Sequence, residues 1–227
     1  MTERETPPVD GLVIGILGGT GDQGRGLARR FALAGHQVII GSRRLERAAA
    51  AAREIGHGVR GLANADAAAQ AGVVIAAVPW EGHGDLLSGL ATELAGKIVV
   101  DCVNPLGFDQ RGAYALPVAE GGPAEGSAAQ QAAALLPGSR VVAAFHHVSA
   151  VLLLDAEVDT IDLDVMVLGD DREATDLVQA LAARIPGVRG IYAGRLRNCG
   201  QIEALTANLV SINRRYKAHA GLRVTDI

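Results

Sequence analysis

The chain has 227 residues and a formal net charge of −4; 49% of its residues are hydrophobic, 20% charged and 3% aromatic. That is length enough for one sizeable core built from Ala, Val, Ile and Leu. The absence of a basic excess argues against nucleic-acid or anionic-membrane partners, and no apolar run approaches the ~20 residues of a membrane span. Two cysteines, Cys102 and Cys199, make neither a disulfide framework nor metal-ligand spacing, which fits a reducing cytoplasm and gives no reason to expect a metal.

Residues 1–11 are polar and proline-bearing without the apolar core of a signal peptide, and read as a flexible tail. Residues 12–24 follow, reading as a strand, a glycine-rich turn and a helix start. Gly19, Gly21 and Gly24 fit the G-x-G-x-x-G dinucleotide fingerprint, with Gly18 beside them. The first glycine of such a turn permits its tightness, the second lets backbone approach a pyrophosphate, and the third lets helix and strand pack closely. The helix start at Asp22 and Gln23 would then offer free N–H groups and the positive end of its dipole. Leu27, Ala28, Phe31 and Ala32 give the helix an apolar face, and Gly35 stops it.

Further along, residues 37–41 read as a second strand and 45–55 as a helix. Residues 58–62 are a candidate third strand, and Asn64 a candidate N-cap for 65–71. Residues 73–78 form a continuous apolar run, as expected of a strand buried on both faces, ended by Pro79-Trp80. A helix over 85–94 and a strand over 97–101 complete the alternation. The stretch 104–125 holds four glycines and three prolines and reads as a long loop. Then come a helix over 127–136, strands over 140–145 and 163–168, a helix over 173–184, a strand over 188–192 and a long helix over 199–219. The acids of that last helix, Glu203 included, read as a solvated face. The pattern predicts an α/β, Rossmann-type doubly wound, mostly parallel sheet with a short C-terminal helical extension. Residues 12–195 form the nucleotide-binding domain with an extended sheet, and 196–227 a helical segment.

The end of the second strand selects the cofactor. NAD-binding turns place an acid about 20 residues past the glycines, on the ribose hydroxyls. Here the strand ends Gly41-Ser42-Arg43-Arg44, with no acid. Ser42 can donate a hydrogen bond to a 2′-phosphate, and Arg43 can pair with it through its planar fork. Arg47, one helical turn on, can point at the same group. Positive charge at a helix start opposes the macrodipole, so a basic patch there is costly without an anion. The cofactor expected is NADP(H).

With these residues in hand, and with Val78-Pro79-Trp80-Glu81 and Phe145-His146, the chain resembles the F420:NADPH oxidoreductases nearly end to end. That family passes a hydride between NADP(H) and the 8-hydroxy-5-deazaflavin coenzyme F420. The resemblance implies that Thr20, Ser42, Arg43 and Arg47 hold the 2′-phosphate, and that Val78 and Pro79 lie by the nicotinamide half. It implies that His146, Val148 and Ala150 line the place where the two rings stack, that Thr206 closes it, and that the protein is a homodimer. The small-molecule deazaflavin is the partner implied.

Hydride transfer between stacked rings needs no nucleophile and no metal, and no residue is assigned as a catalytic acid or base. His146, at a strand end, is a candidate site residue or a hydrogen-bonded structural histidine. Trp80 is a packing anchor or a cofactor contact. Other NADPH-dependent reductases stand as alternatives. A hydroxyacid dehydrogenase would carry a lysine four residues before an asparagine, where this chain has Ala204 before Asn208. An imine reductase would carry a larger helical domain. A non-catalytic NADP-sensing module would turn over nothing.

Overall fold

The computed structural model describes residues 7–227; Met1 to Thr6, and with them most of the expected tail, lie outside the described residues. The first half runs β1 (Val13–Leu17), α1 (Asp22–Leu33), β2 (Gln37–Ser42), α2 (Leu45–Ile55), β3 (Arg60–Ala63), α3 (Asn64–Gln70), β4 (Val73–Ala76), α4 (His83–Gly89), α5 (Ala91–Leu94) and β5 (Ile98–Asp101). A hairpin follows, β6 (Leu106–Asp109) and β7 (Gly112–Ala115). The rest is α6 (Ala128–Leu135), β8 (Arg140–Ala143), α7 (Ala150–Leu154), β9 (Leu163–Gly169), α8 (Arg172–Ala182), β10 (Val188–Gly194) and α9 (Cys199–Tyr216).

Eight strands make one sheet in the order β10-β9-β8-β5-β4-β1-β2-β3. The six from β8 to β3 are parallel, in the doubly wound arrangement whose order reverses between β1 and β4. β4 and β5 are buried at every position, and β1 at all but its first, which is why they read as apolar runs. Two buried clusters cover the faces. One joins α1, α2, α7 and α8 through Leu27, Phe31, Ala48, Leu153 and Val178. The other joins α3, α4, α5 and α6 through Ala67, Leu87, Leu94 and Ala132.

β9 departs from the parallel pattern. It meets β8 antiparallel through Val142↔Gly169 and Ala143↔Leu168 alone. Leu163 to Val167 therefore extend past the carboxyl end of β8, and β10 pairs parallel beside them. The two strands form a wall that rises above the carboxyl edge.

Several expectations need correction. The stretch 104–125 is not one long loop. It carries the β6–β7 hairpin, whose turn is closed by Asp109 Oδ1 accepting from the N–H groups of Arg111 (2.7 Å) and Gly112 (3.0 Å). The Tyr114 ring covers the position where a side chain on Gly107 would stand, so the glycine that hid the strand is the one that lets it pair. Asn64 is the first residue of α3 rather than its cap, which falls on Ala63. The tail is not free throughout, since Val9 is buried and Asp10 pairs with Arg184 at 2.9 Å. The C-terminal segment is helical only to Tyr216. Beyond it the chain runs back along β9, with Asp164 N–H donating to the Leu222 carbonyl at 2.8 Å.

That return is fastened by one buried carboxylate. Asp164 accepts both ends of the Arg189 fork at 2.7 Å, Arg223 at 3.1 Å and the Val224 N–H at 2.6 Å. Its hydrogen bonds with Arg189, more than any other contact, hold its pKa down at about 2 against an ordinary 3.8. A depressed carboxylate contributes stability that is present above its unfolded pKa and lost as pH falls through the folded one. Asp164→Ala should thus lower stability by about 2 kcal/mol at neutral pH, the worth of that shift. It should also flatten the wild-type loss of stability between pH 4 and 2, measured by denaturant midpoints across that range. A variant as stable as the parent at pH 7 would show that the return segment is held by other contacts.

Candidate functional site

The glycine turn has the shape its residues predict. Gly18 takes φ +67 and lies against the Val78 side chain, where any Cβ would collide. A Cβ on Gly24 would stand 2.6 Å from the Gly19 Cα, so α1 packs directly on the turn. Gly21 is different: its φ is −80 and the nearest atom a Cβ would meet is the Gly18 carbonyl oxygen at 4.0 Å. Nothing in the fold requires glycine there, while open space in front of it suits a group brought close to the backbone.

Gly21 is also the N-cap of α1, with no side chain capping the helix. The first intrahelical bond is Arg25 N–H to the Gly21 carbonyl at 2.9 Å. The N–H groups of Asp22, Gln23 and Gly24 are therefore left without intrahelical acceptors. A twelve-residue helix with a bare amino end, beside an open glycine, fits a pyrophosphate.

The turn is tied to the end of β2 by Gly19 N–H donating to the Gly41 carbonyl at 3.2 Å. Ser42 is buried, and its Oγ accepts from the Arg44 N–H at 3.2 Å. That bond occupies an oxygen lone pair and leaves the hydroxyl proton to donate. Arg43, Arg44 and Arg47 are exposed around it. Among the described residues none of the three has a carboxylate within ion-pair distance. Thr20 is half-buried in the turn itself. The residues expected at a 2′-phosphate are thus brought to one place.

At the far side of the crevice, β1, β4, β5 and β8 end in register at Leu17, Ala76, Asp101 and Ala143. Val78 and Pro79 leave β4 here, half-buried and exposed respectively. Phe145, two residues past β8, takes φ +65, a left-handed conformation uncommon for a bulky residue. Its carbonyl accepts from Gln23 Nε2 at 3.1 Å, and its buried ring meets Phe31 edge-on. The next carbonyl, of His146, accepts from Asn104 Nδ2 at 2.8 Å and stands 3.3 Å from the Thr206 hydroxyl, which also reaches Asn104 Oδ1 at 3.3 Å. Asn104, read from sequence as the start of a loop, is the residue that joins His146 to Thr206.

His146 is 4% exposed and neither ring nitrogen has a partner. Burial pushes its pKa down to about 4, so the ring is neutral at ordinary pH. His147 is held differently: its Nε2 accepts from the Met166 N–H at 3.3 Å, continuing β8 toward the wall. Val148 lies with its side chain in the core cluster, and Ala150 opens α7 half-buried. Trp80 donates to the Gly121 carbonyl at 2.8 Å, fastening the segment after the hairpin.

Beneath these residues lies a buried polar group that sequence reading missed. His83 Nε2 meets Asp101 Oδ2 at 2.6 Å, both fully buried, and Gln131 Oε1 meets the other ring nitrogen at 2.9 Å. Asp101 Oδ1 accepts the Val103 N–H at 3.0 Å, setting the backbone that leads into Asn104. Against the burial of its ring, the hydrogen bond to Asp101 leaves the His83 pKa raised. Glu203 is not on a solvated face. It is 2% exposed and accepts the N–H groups of Ala128 (2.8 Å) and Ala129 (3.2 Å) at the start of α6, and burial pushes its pKa up to about 7. Cys102 is buried beside Asp101, and burial raises its pKa, so it is a small hydrophobe rather than a reactive thiol. No group of three or more His, Cys, Asp or Glu among the described residues could hold a metal ion. No described helix is long and apolar enough to cross a membrane.

Comparison with known proteins agrees with this geometry. Residues 13–105 match the family described as NADP oxidoreductase, coenzyme F420-dependent. The chain is 39% identical over 226 residues to the F420-dependent NADP reductase of Methanothermobacter marburgensis, covering 95% of this chain and 99% of that protein. It is 40% identical over 229 residues to the protein of the same name from Methanocaldococcus jannaschii, again covering 95% and 99%. A crystal structure from Arthrobacter sp. FB24 superposes with a TM-score of 0.80 at 28% identity, covering 95% of this chain and all of that one. Sheet order, glycine turn and these likenesses define a Rossmann-type oxidoreductase. Within that class, the chain belongs to the F420-dependent NADP reductase family.

The open space at Gly21 generates a test. Gly21→Val should leave the circular dichroism spectrum and melting temperature close to those of the parent, since the fold has room for the side chain. It should abolish the NADPH fluorescence titration, because the valine would occupy the pyrophosphate's place. Unchanged affinity would make the turn a purely structural connection.

Proposed function

We propose that the protein transfers a hydride reversibly between NADP(H) and the deazaflavin coenzyme F420. The observation that carries this is its near full-length kinship with reductases of that name. The geometry supports it with a bare helix end at an open glycine for the pyrophosphate, and Ser42, Arg43 and Arg47 grouped for a 2′-phosphate. On this reading residues 12–195 form the NADP-binding domain, and 196–227 close the deazaflavin site through Thr206. Gly18, Gly19, Thr20, Gly21 and Gly24 shape the phosphate cradle.

The two cofactors supply the hydride donor and acceptor. The chain's own residues bind, orient and exclude water. Pro79 and the His146–Thr206–Asn104 group would bound the ring-stacking space. A buried, neutral His146 with no hydrogen-bond partner suits packing against a ring rather than proton transfer. We also infer a homodimer in the cytoplasm. Ile212 and Tyr216, one turn apart on α9, are 40% and 73% exposed and give apolar surface for a second copy, and both cysteines are free.

Two measurements check the reading. Purified protein with NADPH should reduce F420, followed by the loss of its visible absorbance, while free FMN should be a poor acceptor. Equal reduction of both would leave only a general NADPH-dependent reductase. Arg43→Ala should raise the KM for NADPH by roughly ten- to more than a hundredfold, as expected for loss of a charge-assisted hydrogen bond worth about 1.5–3 kcal/mol. The KM for NADH should scarcely change. Equal losses for the two nucleotides would remove the 2′-phosphate role from Arg43.

A further inference from the structure

Two hydroxyls within α9 are satisfied in different ways. Ser211 donates to the Ala207 carbonyl one turn back, at 3.0 Å, the usual arrangement inside a helix. Thr206 makes no such bond among the described residues. Its hydroxyl reaches out of the helix instead, to Asn104 Oδ1 and to the His146 carbonyl oxygen, 3.3 Å from each. Asn104 is itself held in place. Asp101 Oδ1 accepts the N–H of Val103, and Pro105 confines the residue before it to extended backbone. Asn104 Nδ2 donates to the His146 carbonyl at 2.8 Å. A carbonyl can only accept, so that bond fixes which end of the amide is nitrogen and leaves Oδ1 facing Thr206.

Thr206 therefore stands against two oxygens that have no proton to give. Toward them it can only donate, and its single proton is committed on that side. A ligand that reaches this hydroxyl meets lone pairs. Asn104 and Thr206 both keep part of their surface exposed.

We propose that Asn104 is a positioning residue for the hydride transfer proposed above, on which this inference rests. Acting through Thr206, and together with the His146 carbonyl, it holds that hydroxyl as an acceptor and so selects a ring edge that presents an N–H. Two groups in the reaction do so, the carboxamide of the nicotinamide and the pyrimidine edge of the deazaflavin. A carbonyl turned to the same place would set oxygen against oxygen, at the cost of an unmade hydrogen bond. Without Asn104 the hydroxyl keeps one acceptor and is free to swing, so the selection weakens.

The test measures dissociation constants by calorimetry for four ligands. They are NADP+, its analogue with an acetyl group in place of the carboxamide, F420, and F420 methylated at the pyrimidine N–H. The proteins are the wild type, Thr206→Val, Asn104→Ala, and Asn104→Leu, which keeps the volume should the smaller side chain unsettle the fold. The wild type should bind one of the two modified compounds about five- to tenfold more weakly than its parent, as expected for one lost hydrogen bond. That preference should vanish in Thr206→Val and shrink in both Asn104 variants. A preference confined to the nicotinamide pair assigns Thr206 to the carboxamide, and one confined to the deazaflavin pair assigns it to the pyrimidine edge; both support the proposal. With unmodified substrates the Asn104 variants should lose about tenfold in kcat, and adding Thr206→Val should lower it little further, since residues that act as one unit are not additive. Indifference of the wild type to both modifications, a penalty that persists in Thr206→Val, or a preference left intact in the Asn104 variants would overturn the proposal while leaving the reaction standing. Failure of the wild type to reduce F420 with NADPH would instead overturn the reaction.

Discussion

One hydrogen bond joins the two ends of the crevice. Gln23, in the first turn of α1, reaches the carbonyl of Phe145 at the end of β8. The backbone of Phe145 sits in a conformation that a bulky side chain adopts only when its surroundings impose it. The buried edge-on contact with Phe31 and the bond from Gln23 are those surroundings. Their effect is to turn the next carbonyl, that of His146, toward Asn104 and Thr206. The cradle proposed for the nucleotide and the wall proposed for the second ring are therefore built on the same short stretch of backbone.

Behind that stretch the buried carboxylates are paired. Asp101 sits at the carboxyl end of β5, where charge without partners would be costly in a buried position. His83, itself held by Gln131, and the Val103 N–H pair with it, and Glu203 closes the amino end of α6. Glu203 belongs to α9, so the helix that carries Thr206 is fixed by a capping contact to α6. Arg30 works similarly on the other face, donating to the carbonyls of Leu153 (2.9 Å) and Val158 (2.7 Å) and so holding α7 against α1. Both contacts are long-range, and neither follows from local pattern.

The parts legible in the sequence were those written by periodicity and by turn chemistry. The apolar runs at β1, β4 and β5, the helix stops at Gly35 and Gly56, and the Ser42-Arg43 strand end all have local physical causes. The β6–β7 hairpin was illegible because its strands are four residues long and carry glycines whose use depends on a cross-strand tyrosine. Glu203 looked like a surface acid because nothing in its neighbours announces that α6 begins beside it. Asn104 acquires its role only when β5, β8 and α9 converge. Residues that join distant elements leave no signature near themselves in the chain.

The rise of β9 and β10 past the carboxyl edge has a consequence for the end of the chain. Five residues, Leu163 to Val167, stand clear of β8, a height of about 17 Å at 3.3–3.4 Å per residue. The edge these residues would leave bare on that side is taken up by the returning end of the chain, where Asp164 N–H donates to the Leu222 carbonyl, and by His147, which accepts from the Met166 N–H. The antiparallel entry of one strand into an otherwise parallel sheet thus gives the last residues of the chain their place on it.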